Sequence, residues 1–302
     1  MNIQTQAHKE IYYSLIGNML VFIKLTNGFG NNLFQYIAGR LLAEFHQGEL
    51  ILCPYDENYY GIKYFKELNL NFNNVELISE NMDQVLVTDK NYLEFFDRKF
   101  NKVDLVIDGY FEDYSFFLKH INKIKSWFTP VKDINENDLV FHLRTGDRLF
   151  YSAHYKPSGE PRVSVYSIES AINKINFNQL YIVSDLPKFE IINMKILKSY
   201  KFHIDPGKVS PQLYSWALNY HNTLIEMLAQ YFPKFQSSQI HEDFNLLRSF
   251  RKIIFQHSTL AWWASFLSEA HSVGVYGPWR PYKENTNKNL SNIPLPGWYK
   301  WQ

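Results

Sequence analysis

The sequence predicts an α/β fold of two Rossmann-like units that face each other across a cleft. Three observations carry that expectation. Apolar strand-like runs alternate with segments of helical period, the pattern of a parallel sheet with crossover connections. Near mid-chain the alternation is interrupted by Pro130-Val-Lys-Asp-Ile-Asn-Glu-Asn-Asp138, a proline followed by polar residues, which places a domain boundary there. The 302 residues, 46% hydrophobic and 20% charged, suffice for two separate cores.

Residues 1–18 read as a polar and aromatic leader with no assigned role, and Met19 is a candidate functional start. The N-terminal unit, 19–130, opens with the strand Leu20–Leu25 and the turn Asn27-Gly-Phe-Gly30. A helix from Asn32 to Phe45 follows, because Leu33, Phe34, Ile37, Ala38, Leu41, Leu42 and Phe45 recur at the 3.6-residue period. Strands are expected at Glu49–Leu52 and Leu105–Ile107, with shorter elements at Val75–Ile78 and Val85–Val87. The second unit, 139–275, begins with the strand at Leu139 and continues with a helix at Ser167–Ile175 and strands at Gln179–Val183 and Tyr200–Ile204. A helix at Tyr214–Leu228 then leads toward Asp243–Phe250, the strand Lys252–Phe255 and a helix from Ser258. The tail 276–302, rich in Pro, Asn and Trp, is expected to lie irregularly over the surface.

Composition narrows the function. A net charge of +1 argues against a nucleic-acid partner, which needs clustered positive charge. Cys53 is the single cysteine, so an intrachain disulfide and a multi-cysteine zinc site are both ruled out, and a reducing, cytoplasmic setting is expected. No apolar run reaches the roughly 20 residues that span a bilayer, which predicts no integral membrane segment and leaves room for peripheral association. The 17% aromatic content suits either core packing or contact with sugar rings.

Chemistry concentrates in the run Leu139-Val-Phe-His142-Leu-Arg144-Thr-Gly-Asp147. Alternation along a strand puts His142 and Arg144 on one side, at the carboxyl end where ligands of open α/β sheets collect. A guanidinium there matches a phosphate in paired hydrogen bonds, or closes a strand end as a salt bridge. In Asn27-Gly28-Phe-Gly30-Asn31-Asn-Leu-Phe-Gln35 the glycines permit a tight turn ahead of a helix N-terminus, whose N–H groups favour an anion. Leu33 occupies the third glycine position of a dinucleotide fingerprint, which makes a nicotinamide-dependent dehydrogenase remote. Asp108-Gly-Tyr110-Phe-Glu112 follows a strand, where Tyr110 and Glu112 either pack or touch a sugar hydroxyl. Ser258 and Thr259, in Gln256-His-Ser-Thr-Leu-Ala-Trp-Trp263, sit where strand gives way to helix and either cap it or hold a phosphate.

In order, these motifs resemble those of the α-1,2-fucosyltransferase family, within the wider group of enzymes that use GDP-fucose. Members typically read G-G-L-G-N-Q-M-F-Q-Y, G-Y-F-Q-S, H-I-R-R-G-D and N-S-T-F-S-W-W-A. This chain has Gly28-Phe-Gly-Asn-Asn-Leu-Phe-Gln-Tyr36, Gly109-Tyr-Phe-Glu112, His142-Leu-Arg-Thr-Gly-Asp147 and His257-Ser-Thr-Leu-Ala-Trp-Trp-Ala264. The resemblance implies a GT-B-like fold with the acceptor on the N-terminal domain, the nucleotide sugar on the C-terminal one, and inversion without a metal. No Asp-X-Asp occurs in the sequence, so the diphosphate charge would be offset by arginine and helix N-termini. On the family pattern Arg144 contacts the β-phosphate, and His142 and Asp243 recognise guanosine. Ser258 and Thr259 contact phosphate, Gly28 and Gly30 belong to the donor-binding set, and Asn31 lines the junction of donor and acceptor. His142 and Asp243 equally suit a core histidine and an acid near a helix N-terminus. Thr145, Asn32, Glu112 and His257 depart from the family residues; Thr145 takes the place of a second arginine.

Candidates for the base that deprotonates the acceptor are Asp147, Glu160 in the loop Ser158-Gly-Glu160-Pro, and Asp185, with Glu160 favoured. The expected activity is transfer of L-fucose from GDP-fucose, with no cofactor, to an oligosaccharide acceptor in surface glycan or lipopolysaccharide synthesis. The rivals are transfer of another GDP-linked sugar and a catalytically silent glycan-binding protein of the same fold.

Overall fold

The computed structural model describes residues 19–26, 28–54, 61–74, 84–97, 103–145, 149–150, 164–200, 209–256, 258–276 and 298–301. Contacts divide the chain into two units, parted between Thr129 and Pro130. The first carries β1 (Leu20–Leu25), α1 (Phe29–His46), β2 (Glu49–Pro54), α2 (Gly61–Glu67), β3 (Asn73–Asn74), β4 (Gln84–Val87), β5 (Asp104–Ile107) and α3 (Ile121–Ser126). The second carries β6 (Asn135–Leu143), α4 (Val165–Asn173), β7 (Leu180–Ser184), α5 (Met194–Ser199), α6 (Pro211–Ala229), β8 (Lys234–Gln236), α7 (Ile240–Arg248), β9 (Phe250–Phe255), α8 (Thr259–Leu267), β10 (Ser272–Tyr276) and β11 (Tyr299–Trp301).

The first unit is a five-stranded sheet in the order β3-β2-β1-β5-β4, with every pair parallel. Its central strand is buried on both faces from Leu20 to Ile23 and is apolar throughout that stretch, whereas Lys24 near its carboxyl end is exposed. Leu20, Phe22, Ile51, Cys53 and Val106 form the cluster on one face. On the other, α1 approaches closely: a Cβ at Gly39 would lie 2.6 Å from Ile23 Cδ1, so this helix position excludes larger residues. The helix starts at Phe29 rather than Asn32 and ends on Gln47, a left-handed cap at φ 60°.

The second unit is a six-stranded parallel sheet in the order β11-β10-β9-β6-β7-β8. Leu139, Phe141 and Leu143 of β6 point to one face, where they pack with Ile168 and Ile172 of α4 and Leu224 and Leu228 of α6. By alternation Val140 and His142 point to the other, alongside their register partners Ile253 and Phe255. That face is covered by α8, since Trp298 meets both Phe255 (5.8 Å) and Trp262 (5.9 Å), and α7 packs beside α8.

Strand β6 begins at Asn135, ahead of the expected Leu139. Its polar start is held by side chains: Asn135 Nδ2 donates to Asp138 Oδ2 (2.8 Å) and Gln179 N to Asp138 Oδ1 (3.1 Å), with a bulge in between. Part of the tail departs from the irregular surface path expected of it, because β11 adds a strand to β10 and Trp298 packs on two buried aromatics. The elements expected at Val75–Ile78, and the Tyr200–Ile204 strand beyond Tyr200, lie outside the described residues; Tyr200 itself caps α5. No described helix is long and apolar enough to cross a membrane.

Candidate active site

Each sheet reverses its strand order once, and the sequence motifs lie at those two reversals. In the first unit the order turns at β1 and β5; the Gly28–Gln35 motif follows β1 and the Asp108–Glu112 loop follows β5. In the second it turns between β6 and β9; His142 and Arg144 end β6, and Ser258 and Thr259 follow β9. Such switch points are where open parallel sheets leave a crevice for ligands beyond the strand ends.

In the second unit, His142 is 5% exposed and Arg144 half-buried. Burial, joined by the charge of Arg144, pushes the imidazole down to about 3, so it stays neutral in ordinary conditions. Its Nδ1 has no hydrogen-bond partner among the described residues. Ser258 is buried and caps α8, accepting from Ala261 N at 3.3 Å while keeping its own proton to donate. Capping is thus observed for Ser258, and Thr259 is the first helical residue.

Asp243 lies on α7, which follows β8 at the same carboxyl edge. It is 8% exposed, and desolvation raises its carboxyl from 3.8 to about 6. Gln236 and the Ser238 N–H (3.5 Å) partly offset the burial through one oxygen, whereas Oδ1 has no partner among the described residues. Thr145 is buried, its Oγ1 likewise without a partner there, and its N–H donates to Asp185 Oδ1 at 3.1 Å. Ser184 Oγ donates to Leu143 O (2.8 Å) and accepts from Leu186 N (3.1 Å). Asp185, considered as a base, therefore braces the strand end that carries Arg144.

In the first unit, Gly28 is extended (φ −80°, ψ 164°) with open space where a Cβ would stand, so the turn does not depend on glycine conformation there. Gly30 and Asn31 belong to the first turn of α1, and Asn31 and Asn32 N–H both donate to Gly28 O. Gln35, the last residue of the Gly28–Gln35 motif, is the hub of this edge. Its Nε2 donates to Lys24 O, Thr26 Oγ1 and Gly109 O (2.9–3.1 Å), and its Oε1 accepts from Thr26 N and Asn32 Nδ2. Asn32 also donates to Thr26 O at 2.7 Å. The signal that points to Gln35 is a polar residue within the apolar period of a buried helix face. Tyr110 and Glu112 are half-buried on either side of the fully buried Phe111.

Asn27, Asp147, Glu160 and His257 lie outside the described residues. Among those described, no group of His, Cys, Asp and Glu is placed to hold a metal ion.

The sequence matches no protein-family model and no curated protein. Solved structures with similarity include the dodecameric iron-containing heptosyltransferase TibC in complex with ADP-D-β-D-heptose (TM-score 0.39, 10% identity, 86% of this chain and 58% of that one). A second is the bacterial iron-containing dodecameric glycosyltransferase TibC from enterotoxigenic E. coli H10407 (TM-score 0.36, 10% identity, the same coverage). The chain spans 58% of the length of these structures.

Proposed function

We propose that the chain is an inverting glycosyltransferase that moves L-fucose from GDP-fucose to a hydroxyl of an acceptor glycan, in the synthesis of a surface glycan or lipopolysaccharide. The observation that carries this reading is the unit 2 switch point. There a half-buried Arg144, the neutral His142 and the N-terminus of α8 share one face with α7, which bears the buried Asp243. A cation and a helix N-terminus complement a diphosphate. A carboxylate with an oxygen left open complements the adjacent N–H groups of a guanine edge, and a neutral imidazole donates or accepts beside it.

In the reaction, the acceptor oxygen bonds to the sugar's anomeric carbon from the face opposite the diphosphate. The carbon–oxygen bond to the β-phosphate breaks, and its electron pair leaves with GDP. Arg144 and the α8 N-terminus, with Thr259 and the Ser258 proton, offset the charge that develops on the leaving group. Glu160 is the proposed base for the acceptor proton, with Asp147 the alternative, and Asn31 orients the reacting groups. Unit 1 takes the acceptor through the loop of Tyr110 and Glu112.

The test is to incubate the full chain with GDP-fucose and a panel of galactosides, with GDP binding measured by calorimetry. Release of GDP coupled to fucosylated product is expected. Binding of GDP with no fucose transferred would redirect the reading to another GDP-linked sugar. Absence of GDP binding at micromolar concentration, unchanged by Arg144→Ala, would sink it in favour of a silent glycan-binding protein.

A further inference from the structure

The loop after β5 is fixed by a residue from another part of unit 1. Asp89, in the turn after β4, accepts Tyr110 N–H at Oδ2 (3.0 Å) and Phe111 N–H at Oδ1 (2.6 Å). Both carboxylate oxygens are thus committed to two successive main-chain groups. The turn that carries Asp89 is itself braced, since Asn91 accepts from Thr88 N (2.7 Å) and donates to Leu86 O (3.1 Å). From the other side Gln35 Nε2 donates to Gly109 O at 2.9 Å.

Between these clamps Phe111 takes φ 55°, a left-handed conformation that a bulky side chain rarely adopts. Its ring is fully buried and meets Tyr92 at 5.3 Å, and Tyr92 Oη donates to Ala38 O of α1 at 3.0 Å. Gly109 is required by closeness: a Cβ there would run into the Asp89 carboxylate. A connector between β5 and the 3-10 turn at Tyr114–Phe116 needs none of this. Backbone held against its preference by surrounding structure persists where the surroundings over-determine it, and such sites cluster at ligand clamps.

We infer that Asp89 is a positioning residue for the acceptor: it fixes Gly109–Glu112 in the one conformation that anchors Phe111 and sets Tyr110 and Glu112 at the carboxyl edge to receive a sugar. The Tyr110 ring offers a face for sugar C–H groups, and the Glu112 carboxylate, two residues on, has oxygens that accept hydroxyl protons. The inference rests on the reading of unit 1 as the acceptor side.

The test uses the full chain, GDP-fucose as donor and lactose as the acceptor probe. Asp89→Ala is expected to raise the KM for lactose about tenfold, a loss of orientation rather than of chemistry. GDP affinity by calorimetry is expected to stay within about twofold of wild type, a split that a general loss of structure does not produce. Asp89→Asn, which keeps one accepting oxygen, falls between the two and carries the comparison if Asp89→Ala does not fold. Gly109→Ala should reproduce the effect by displacing the carboxylate. A lactose KM unchanged in these variants overturns the inference, as does a parallel loss of GDP affinity. If the wild type transfers nothing to lactose, saturation-transfer NMR reads lactose on wild type and Asp89→Asn directly. A signal lost in the variant supports the inference; equal signals, or none on the wild type, overturn it. Failure of the wild type to bind GDP counts against the donor reading of unit 2 and leaves the lactose measurement to decide the role of Asp89.

Discussion

The two sheet edges solve opposite problems with similar residues. At the unit 1 edge, Gln35, Asn32 and Asp89 commit their polar atoms to the protein's own backbone, and the result is a loop with little freedom. At the unit 2 edge, His142 Nδ1, Thr145 Oγ1 and Asp243 Oδ1 are buried with no partner among the described residues. A buried polar atom without a partner is costly to keep. On the proposed function, the first edge is a shaped rest for a neutral acceptor, and at the second a charged, hydrogen-bonding donor would supply the partners those atoms lack.

Removing the cation should break the contrast most severely. Arg144→Ala is expected to reduce GDP-fucose turnover by about 100- to 1000-fold, the usual scale for losing a group that meets transition-state charge. The thermal midpoint should hardly move, and turnover retained by this variant would end the assignment of the donor edge. On the other edge the larger effect should be on stability. Gln35→Leu leaves Thr26 N, Gly109 O and Lys24 O short of a partner and is expected to cost about 2–3 kcal/mol in denaturant unfolding. A change below about 0.5 kcal/mol would show that those groups find water instead.

The unit 2 edge should also reveal itself through pH. His142 holds its folded value near 3, below the 6.5 of a free imidazole, so the unfolded chain takes up a proton first as pH falls. Its contribution is fully present above 6.5 and is lost on going down toward 3. Wild type should lose about 1–2 kcal/mol more than His142→Gln between pH 6.5 and 5. Asp243 acts in the opposite direction. With its folded value raised from 3.8 to about 6, stability is greatest below the unfolded value and declines as pH rises through 6. Asp243→Asn should therefore stabilise the chain by about 1 kcal/mol at pH 7.5 and by less at pH 4.5, while weakening GDP binding. Equal effects at both pH values would remove the carboxylate as the cause.

How much of this was legible depended on whether the signal was local. Helix α1 announced itself by period, and the β6 run by its apolar residues ending in His142 and Arg144, because each signal lies within one element. The start of β6 did not, since Asn135 to Asp138 are poor strand formers held there by side-chain bonds to one another and to Gln179. Strands β8 (Lys234–Gln236) and β11 (Tyr299–Trp301) are three residues each, too short for a periodicity. Among site residues, His142, Arg144 and Ser258 could be placed at strand ends from the sequence. Asp89 could not, because what makes it matter is the arrival of residues 110 and 111 beside it.

The late strand has a consequence for how the protein is made. Unit 1 has its fifth strand once residue 107 has emerged, whereas the sheet of unit 2 stays one strand short until residue 301 has been synthesised. During that interval the edge of β10 is an unpaired ladder, and the rings of Phe255 and Trp262 await Trp298. All five strands of the unit 1 sheet are therefore synthesised before the last strand of the unit 2 sheet. Removal of β11 would disturb the sheet that holds the nucleotide-site candidates.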